Sequence, residues 1–67
     1  MVYVVLESTR SATRGQKRIL NFTSSVKRFR DDWKNLVCFR EMRKELKPIA
    51  EFETEEEAQE YLEKIKN

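Results

Sequence analysis

The sequence predicts a small α+β domain in which four strands form one antiparallel sheet and two helices pack against it, in the order ββαββα. Three observations predict this class. Short β-branched or aromatic runs alternate with polar connections, amphipathic stretches follow Ser/Thr-rich segments, and one pattern of residues occurs twice. The chain has 67 residues, of which 39% are charged and 39% apolar, so residues 1–67 suit one domain with a limited core.

The first strand and the loop after it are the clearest features of the N-terminal half. Residues 2–6 form an uninterrupted apolar run, which is typical of a strand that is buried on both faces. The polar segment 7–16 predicts a flexible loop, because its residues are small or charged and Gly15 can take a positive φ.

The segment 17–36 permits two interpretations. Its apolar residues recur every three or four positions, which suits one long amphipathic helix and gives the alternative order βαββα. However, the Thr-Ser-Ser sequence at 23–25 favours turns and helix caps over a helix interior. We therefore prefer a strand over 18–22, an N-cap at Ser24 or Ser25, and a helix over 26–35.

The C-terminal half predicts a second ββα unit. The apolar run 36–39 continues into 40–43 and predicts a strand with Cys38 in the core. The next strand covers 48–52 and begins at a proline, where the missing N–H costs least. Thr54 and Glu57 have the spacing of a capping box, which predicts that a helix begins directly after Thr54.

An approximate internal repeat supports this division. Residues 17–24 and 47–54 both have the pattern Lys-x-Ile-x-x-Phe-x-Ser/Thr, and an amphipathic stretch follows each. The pattern favours two similar halves, 1–35 and 36–67, over the single long helix.

The two predicted strands with uninterrupted apolar runs, 2–6 and 36–39, have apolar residues on both faces. One face of the predicted sheet packs against the helices, so something must also cover the second apolar face. Helices on opposite faces would do so, but two short helices are few for a three-layer fold. We therefore expect a homodimer or a protein partner on that face. Its candidate interface residues are Tyr3, Val5, Val37 and Phe39.

Positive charge is concentrated in the first half of the chain. Residues 1–35 contain eight Lys and Arg against three acids, whereas residues 36–67 contain six against nine. No acid occurs in 8–30, and the hydroxyls of the loop can donate hydrogen bonds to phosphate oxygens. The segment therefore predicts a phosphate-binding surface. Its candidate residues are Arg10, Arg14, Lys17, Arg18, Lys27, Arg28 and Arg30.

The usual chemistry of enzymes and metal sites is scarce in this sequence. It has no His, a single Cys and a single Gly, which disfavours common general bases, zinc sites and glycine-rich nucleotide loops. We therefore expect no catalysis, no metal, no cofactor and no small-molecule substrate. The lone thiol and the lack of a signal-peptide or membrane-spanning pattern predict a cytoplasmic protein without membrane contact.

Two functions follow as hypotheses. The first is a small non-enzymatic binding protein that acts through protein–protein contact as a regulator, inhibitor or accessory subunit. The alternative is a small basic nucleic-acid-binding module, for DNA or RNA, that contacts phosphates through the segment 8–30.

Overall fold

A computed structural model describes residues 1–65, and within this range it contains one three-stranded sheet and three α-helices. The elements are β1 (Val2–Ser8), β2 (Lys17–Phe22), α1 (Val26–Asn35), α2 (Arg40–Glu45), β3 (Leu46–Phe52) and α3 (Glu55–Ile65). Short 3₁₀ turns cover Ser11–Thr13 and Val37–Phe39. None of the helices in the described range has the length and apolar character that crossing a membrane requires.

The sheet has the order β2-β1-β3, and β1 is antiparallel to both neighbours. At its centre Val5 lies opposite Ile19 of β2 and Ala50 of β3. The register with β2 is continuous, whereas the register with β3 shifts by one residue between Val5 and Leu6. The two edges of the sheet therefore differ in regularity.

One face of the sheet carries the main core. Val2, Val4 and Leu6 are fully buried against Phe29 and Trp33 of α1. The partly buried residues packed against this cluster are Leu20, Phe22, Val26, Phe39, Met42 and Leu46. Aromatic rings contribute strongly, because the Phe22 and Phe29 centroids lie 4.9 Å apart and several such pairs are edge-on or tilted.

Helix α3 covers the opposite face of the sheet. It contacts all three strands, and both Val5 and Ala58 have no exposed surface. The rings of Phe52 and Tyr61 lie 5.3 Å apart and close this layer at the β3 side. The chain thus forms a three-layer arrangement and itself covers the face for which a partner was expected.

The predicted four-stranded ββαββα sheet is wrong, and so is the βαββα alternative. The strand predicted over 36–43 is a 3₁₀ turn followed by α2, so the described residues contain three strands and three helices. An uninterrupted apolar run does not distinguish a strand from a helical segment by itself. Here Phe39 and Met42 reach the core at helical spacing, while Cys38 is exposed instead of packed.

The remaining elements occur where the sequence predicts them, with small differences in bounds: β1 extends to Ser8, and β3 begins at Leu46 and not at Pro48. Helix α1 covers Val26–Asn35, as predicted, and Ser25 caps it by accepting a hydrogen bond from the Arg28 amide at 3.2 Å. The Thr54 hydroxyl accepts a bond from the Glu57 amide at 3.2 Å at the start of α3. The capping signals therefore located both helix starts correctly.

Candidate functional site

The connection between β1 and β2 is an ordered structure built from two successive turns. The Thr13 amide donates to the Arg10 carbonyl at 3.2 Å, and the Gln16 amide donates to the Thr13 carbonyl at 3.0 Å. Gly15 has a φ of 88°, which the third position of a type II turn requires. Its predicted positive φ is confirmed.

The second turn merges with a bulge at the start of β2. The Gly15 amide donates to the Ser8 carbonyl at 3.2 Å, and the Ser8 amide donates to the Gln16 carbonyl at 2.8 Å. Two residues of one strand thus oppose a single residue of the other, with glycine at the position that needs a positive φ. The bulge fixes the direction in which the following side chains, Lys17 and Arg18, leave the strand.

The same loop is tied to the junction between α2 and β3. The Thr9 amide donates to the Glu45 carbonyl at 2.8 Å, and the Thr9 hydroxyl donates to the Lys44 carbonyl at 3.3 Å. An exposed ion pair joins the Arg10 guanidinium to the Glu45 carboxylate at 3.4 Å. The loop is therefore anchored at both of its ends. It is also bonded to the α2–β3 junction, which lies 35 residues away in sequence.

A hollow of about 400 Å³ lies between this loop and that junction. It is lined by Ser8, Arg10, Thr13, Gln16, Lys17, Arg18, Glu45 and Leu46. Three cationic residues and one carboxylate belong to the lining, and the Ser8 and Thr13 hydroxyls lie 2.6 Å apart. Guanidinium and ammonium groups beside hydroxyl donors suit a phosphate group, so the hollow is the candidate functional site.

The cations of the hollow differ in how far they are already engaged. The Arg10 side chain is paired with Glu45, and the Lys17 ammonium donates to the Gly15 carbonyl at 2.9 Å. Arg18 is exposed and has no carboxylate within ion-pair distance among residues 1–65. Arg14 occupies the exposed tip of the second turn, next to the hollow but outside its lining.

The other three candidate cations lie on α1, which begins at the far end of β2 from the hollow. Arg28 is 3.8 Å from Asp32 one turn further along the helix, and Arg30 is 3.2 Å from Glu51 of β3. Lys27 is exposed and has no such partner within the described part of the chain. The seven predicted residues therefore form two groups, and we call them the loop group (Arg10, Arg14, Lys17, Arg18) and the α1 group (Lys27, Arg28, Arg30).

Glu45 is the member of the site that sequence reasoning missed. It lies in the second, acidic half of the chain and reaches the hollow only because β3 begins directly after it and pairs with β1. Ser8 and Thr13 were recognised as hydroxyl donors, whereas the neighbouring Thr9 turns its hydroxyl to α2. No local pattern distinguishes these orientations.

The four residues predicted as a protein interface do not share one surface. Val5 is buried under α3, Tyr3 is half-buried, and Phe39 packs 5.6 Å from the Trp33 ring. Val37, in contrast, is 80% exposed. The protein interface at these positions stays a prediction. The argument for it was an uncovered sheet face, and α3 covers that face.

A second exposed feature is the apolar run at 36–38. Leu36 is 42% exposed and Cys38 is exposed as well. The segment is held in place, because one guanidinium nitrogen of Arg43 donates to the carbonyls of Trp33 at 2.6 Å and Leu36 at 2.9 Å. The connection between α1 and α2 thus presents apolar side chains in a defined position.

No protein-family model matches this chain, and neither does any curated protein or solved structure.

Proposed function

We propose that this protein is a small non-enzymatic nucleic-acid-binding module that contacts phosphates through the loop hollow. The observation that supports the proposal is that Lys17, Arg18 and the Ser8–Thr13 hydroxyl pair all line one concave surface. Charged donors and short hydroxyls at fixed positions are the usual partners of phosphate oxygens.

The site is suited to a phosphate backbone and not to base edges. Its donors belong to a loop and a strand start, and none of α1 or α3 lines the hollow. Contacts of this kind position a nucleic acid and bind it through charge, without reading its sequence. We therefore expect similar affinity for different sequences and a strong dependence on salt.

The test is titration of labelled single-stranded and duplex oligonucleotides at several salt concentrations. If the four cations of the loop group each neutralise one phosphate, the logarithm of the binding constant falls against log salt with a slope of about −3 to −4. A binding constant that is independent of salt, or no binding to either oligonucleotide, overturns the proposal.

Two matched variants locate the contact. Neutralising Lys17→Gln together with Arg18→Gln should weaken binding and reduce the salt slope by about 2. Lys34→Gln removes a positive charge from the exposed last turn of α1, outside the hollow. It should change binding little, and equal losses in both variants would place the contact elsewhere.

Glu45 gives a test of opposite sign. Its carboxylate pairs with Arg10 and adds the one negative charge of the hollow. Glu45→Gln should free Arg10 and tighten binding, because phosphate no longer competes with a resident carboxylate. Tighter binding with an increased salt slope supports the proposal, whereas weaker binding contradicts it.

The second candidate function is contact with a protein that buries an apolar side chain against Val37. The rigid support of 36–38 by Arg43 favours this candidate, because an ordered apolar segment loses little entropy on binding. Native pull-down with the wild type and Val37→Asp tests it. A partner that Val37→Asp loses but Lys17→Gln/Arg18→Gln retains supports protein contact, and an identical set of captured proteins in all three contradicts it.

A further inference from the structure

The outer edge of β2 is open along its length. The bond from the Ser8 amide to Gln16 sets the alternation of the ladder, because paired residues in antiparallel strands exchange bonds at every second position. The backbone groups of Arg18 and Leu20 therefore point to β1, and those of Lys17, Ile19 and Asn21 point away from it. Within residues 1–65, no backbone bond outside the ladder engages Lys17–Phe22.

The other edge of the same sheet is protected. In β3, Pro48 lies opposite Leu6, and the same alternation places this position on the outer side, where proline has no N–H to donate. The register shift between Val5 and Leu6 distorts the ladder beside it. Bulges, prolines and charged side chains hinder strand addition. Between Lys17 and Phe22, β2 has no bulge and no proline, and its charged residues are its first two, Lys17 and Arg18.

We infer that the β2 edge pairs with the β2 edge of a second copy of this chain, antiparallel and across a two-fold axis at Ile19. This register is favoured because it pairs all three outward-facing residues. Ile19 then lies opposite the partner's Ile19, and Lys17 lies opposite the partner's Asn21. An axis at Lys17 would oppose two ammonium groups, and an axis at Asn21 would extend the pairing beyond the end of β2 at Phe22.

The pairing would give a continuous six-stranded sheet with the order β3-β1-β2-β2-β1-β3. It would also join the two cationic groups, which lie at opposite ends of β2 in one chain. Antiparallel strands place the start of one β2 beside the end of the other, and the partner's α1 begins four residues after that end. The loop group of each copy therefore adjoins the α1 group of the other, and each phosphate-binding surface is completed by the partner copy.

The inference that the loop group and the partner's α1 group together bind phosphate rests on the proposed function. The pairing of the two β2 edges does not. A mass equal to the monomer with salt-dependent oligonucleotide binding would overturn the pairing alone. A dimer that binds no oligonucleotide would overturn the proposed function alone.

Cysteine cross-linking tests the register. In a Cys38→Ser background, Ile19→Cys places two thiols in directly opposed residues about 5.5 Å apart at Cα, within the range that a disulfide spans. Asn21→Cys is the matched control on the same strand and face, because its two copies would be about 14 Å apart. Mild oxidation should give a covalent dimer of Ile19→Cys and little of Asn21→Cys, with Trp33 fluorescence confirming that both variants are folded.

Sedimentation equilibrium of two charge variants tests how strongly the two copies associate. Asn21 is exposed, so both replacements leave the core unchanged. Asn21→Lys would oppose the partner's Lys17 twice in the dimer and raise its dissociation constant about 2- to 30-fold, whereas Asn21→Glu would lower it by a similar factor. A monomer at every concentration, equal effects of both variants, or preferential cross-linking of Asn21→Cys would overturn the inference.

Discussion

Arg43 shows, at the scale of one residue, how a charged side chain determines the path of the backbone. Its guanidinium donates to the carbonyl of Trp33, in the last turn of α1, and to the carbonyl of Leu36, the first residue after the helix. The Trp33 carbonyl belongs to the last turn of α1, which leaves its acceptors free, whereas the Leu36 carbonyl also accepts from the Phe39 amide at 3.2 Å. The bonds end α1 and orient the turn that follows it.

Replacement of Arg43 should therefore destabilise the fold more than the loss of a surface charge does. Arg43→Met keeps the aliphatic part of the side chain but removes both bonds, and we expect the free energy of unfolding to fall by about 1–2 kcal/mol. Lys44→Met is the control, since its ammonium makes only an exposed 3.4 Å pair with Glu41. Urea denaturation followed by Trp33 fluorescence measures both, and equal losses would contradict the role of Arg43.

At the scale of elements, capping side chains determine where the helices start. Two adjacent serines precede α1, and the sequence does not decide between them. The structure selects Ser25, whose hydroxyl accepts from the Arg28 amide, while its extended backbone places it just outside the helix. The bond from the Arg28 amide to the Ser25 hydroxyl therefore marks Ser25 as the last residue before α1.

The two serines therefore form a matched pair of variants. Ser25→Ala should lower the free energy of unfolding by about 1 kcal/mol, because an amide in the first turn of α1 loses its acceptor. Ser24→Ala should have a much smaller effect, since its hydroxyl makes no side-chain bond within residues 1–65. Thermal unfolding monitored by circular dichroism distinguishes them, and a larger loss for Ser24→Ala would show that the cap is misassigned.

At the scale of the whole molecule, the decisive feature is that helices cover both faces of a three-stranded sheet. Val5 of β1 has no exposed surface, because α3 packs over it with the fully buried Ala58. A sheet with one open face would leave Val5 in contact with water. The stability of the protein therefore depends on burial on two sides of a narrow sheet, in a chain that is short for such a core.

Two valines test this arrangement with the same chemical change. Val5→Ala should cost about 2 kcal/mol, since it removes buried methyl groups and leaves a cavity under α3. Val37→Ala, at a position that is 80% exposed, should change stability by less than about 0.5 kcal/mol. Guanidinium denaturation of both variants checks this, and a small effect at Val5 would mean that α3 does not cover the sheet.

Local signals in the sequence were sufficient for several elements and for part of the site. The β-branched run of β1, the Ser and Thr caps and the positive φ of Gly15 are each determined by a few neighbouring residues. The loop hydroxyls and cations, whose role in binding stays a proposal, were named from local composition as well. The segment 36–43 was not, because its apolar run suits a strand or a helix and only the aromatic core beside Phe39 decides between them.

By itself, the sequence determined where the N-terminal strand and both capped helices lie, and it determined that the excess of positive charge lies before residue 36. Those properties depend on backbone preferences and on composition, which act over short distances. Only the tertiary structure decided that α3 covers the second sheet face, that Glu45 enters the hollow, and that the cations form two groups. Such contacts join residues far apart in the chain, and they follow from the way the whole molecule buries its limited apolar surface.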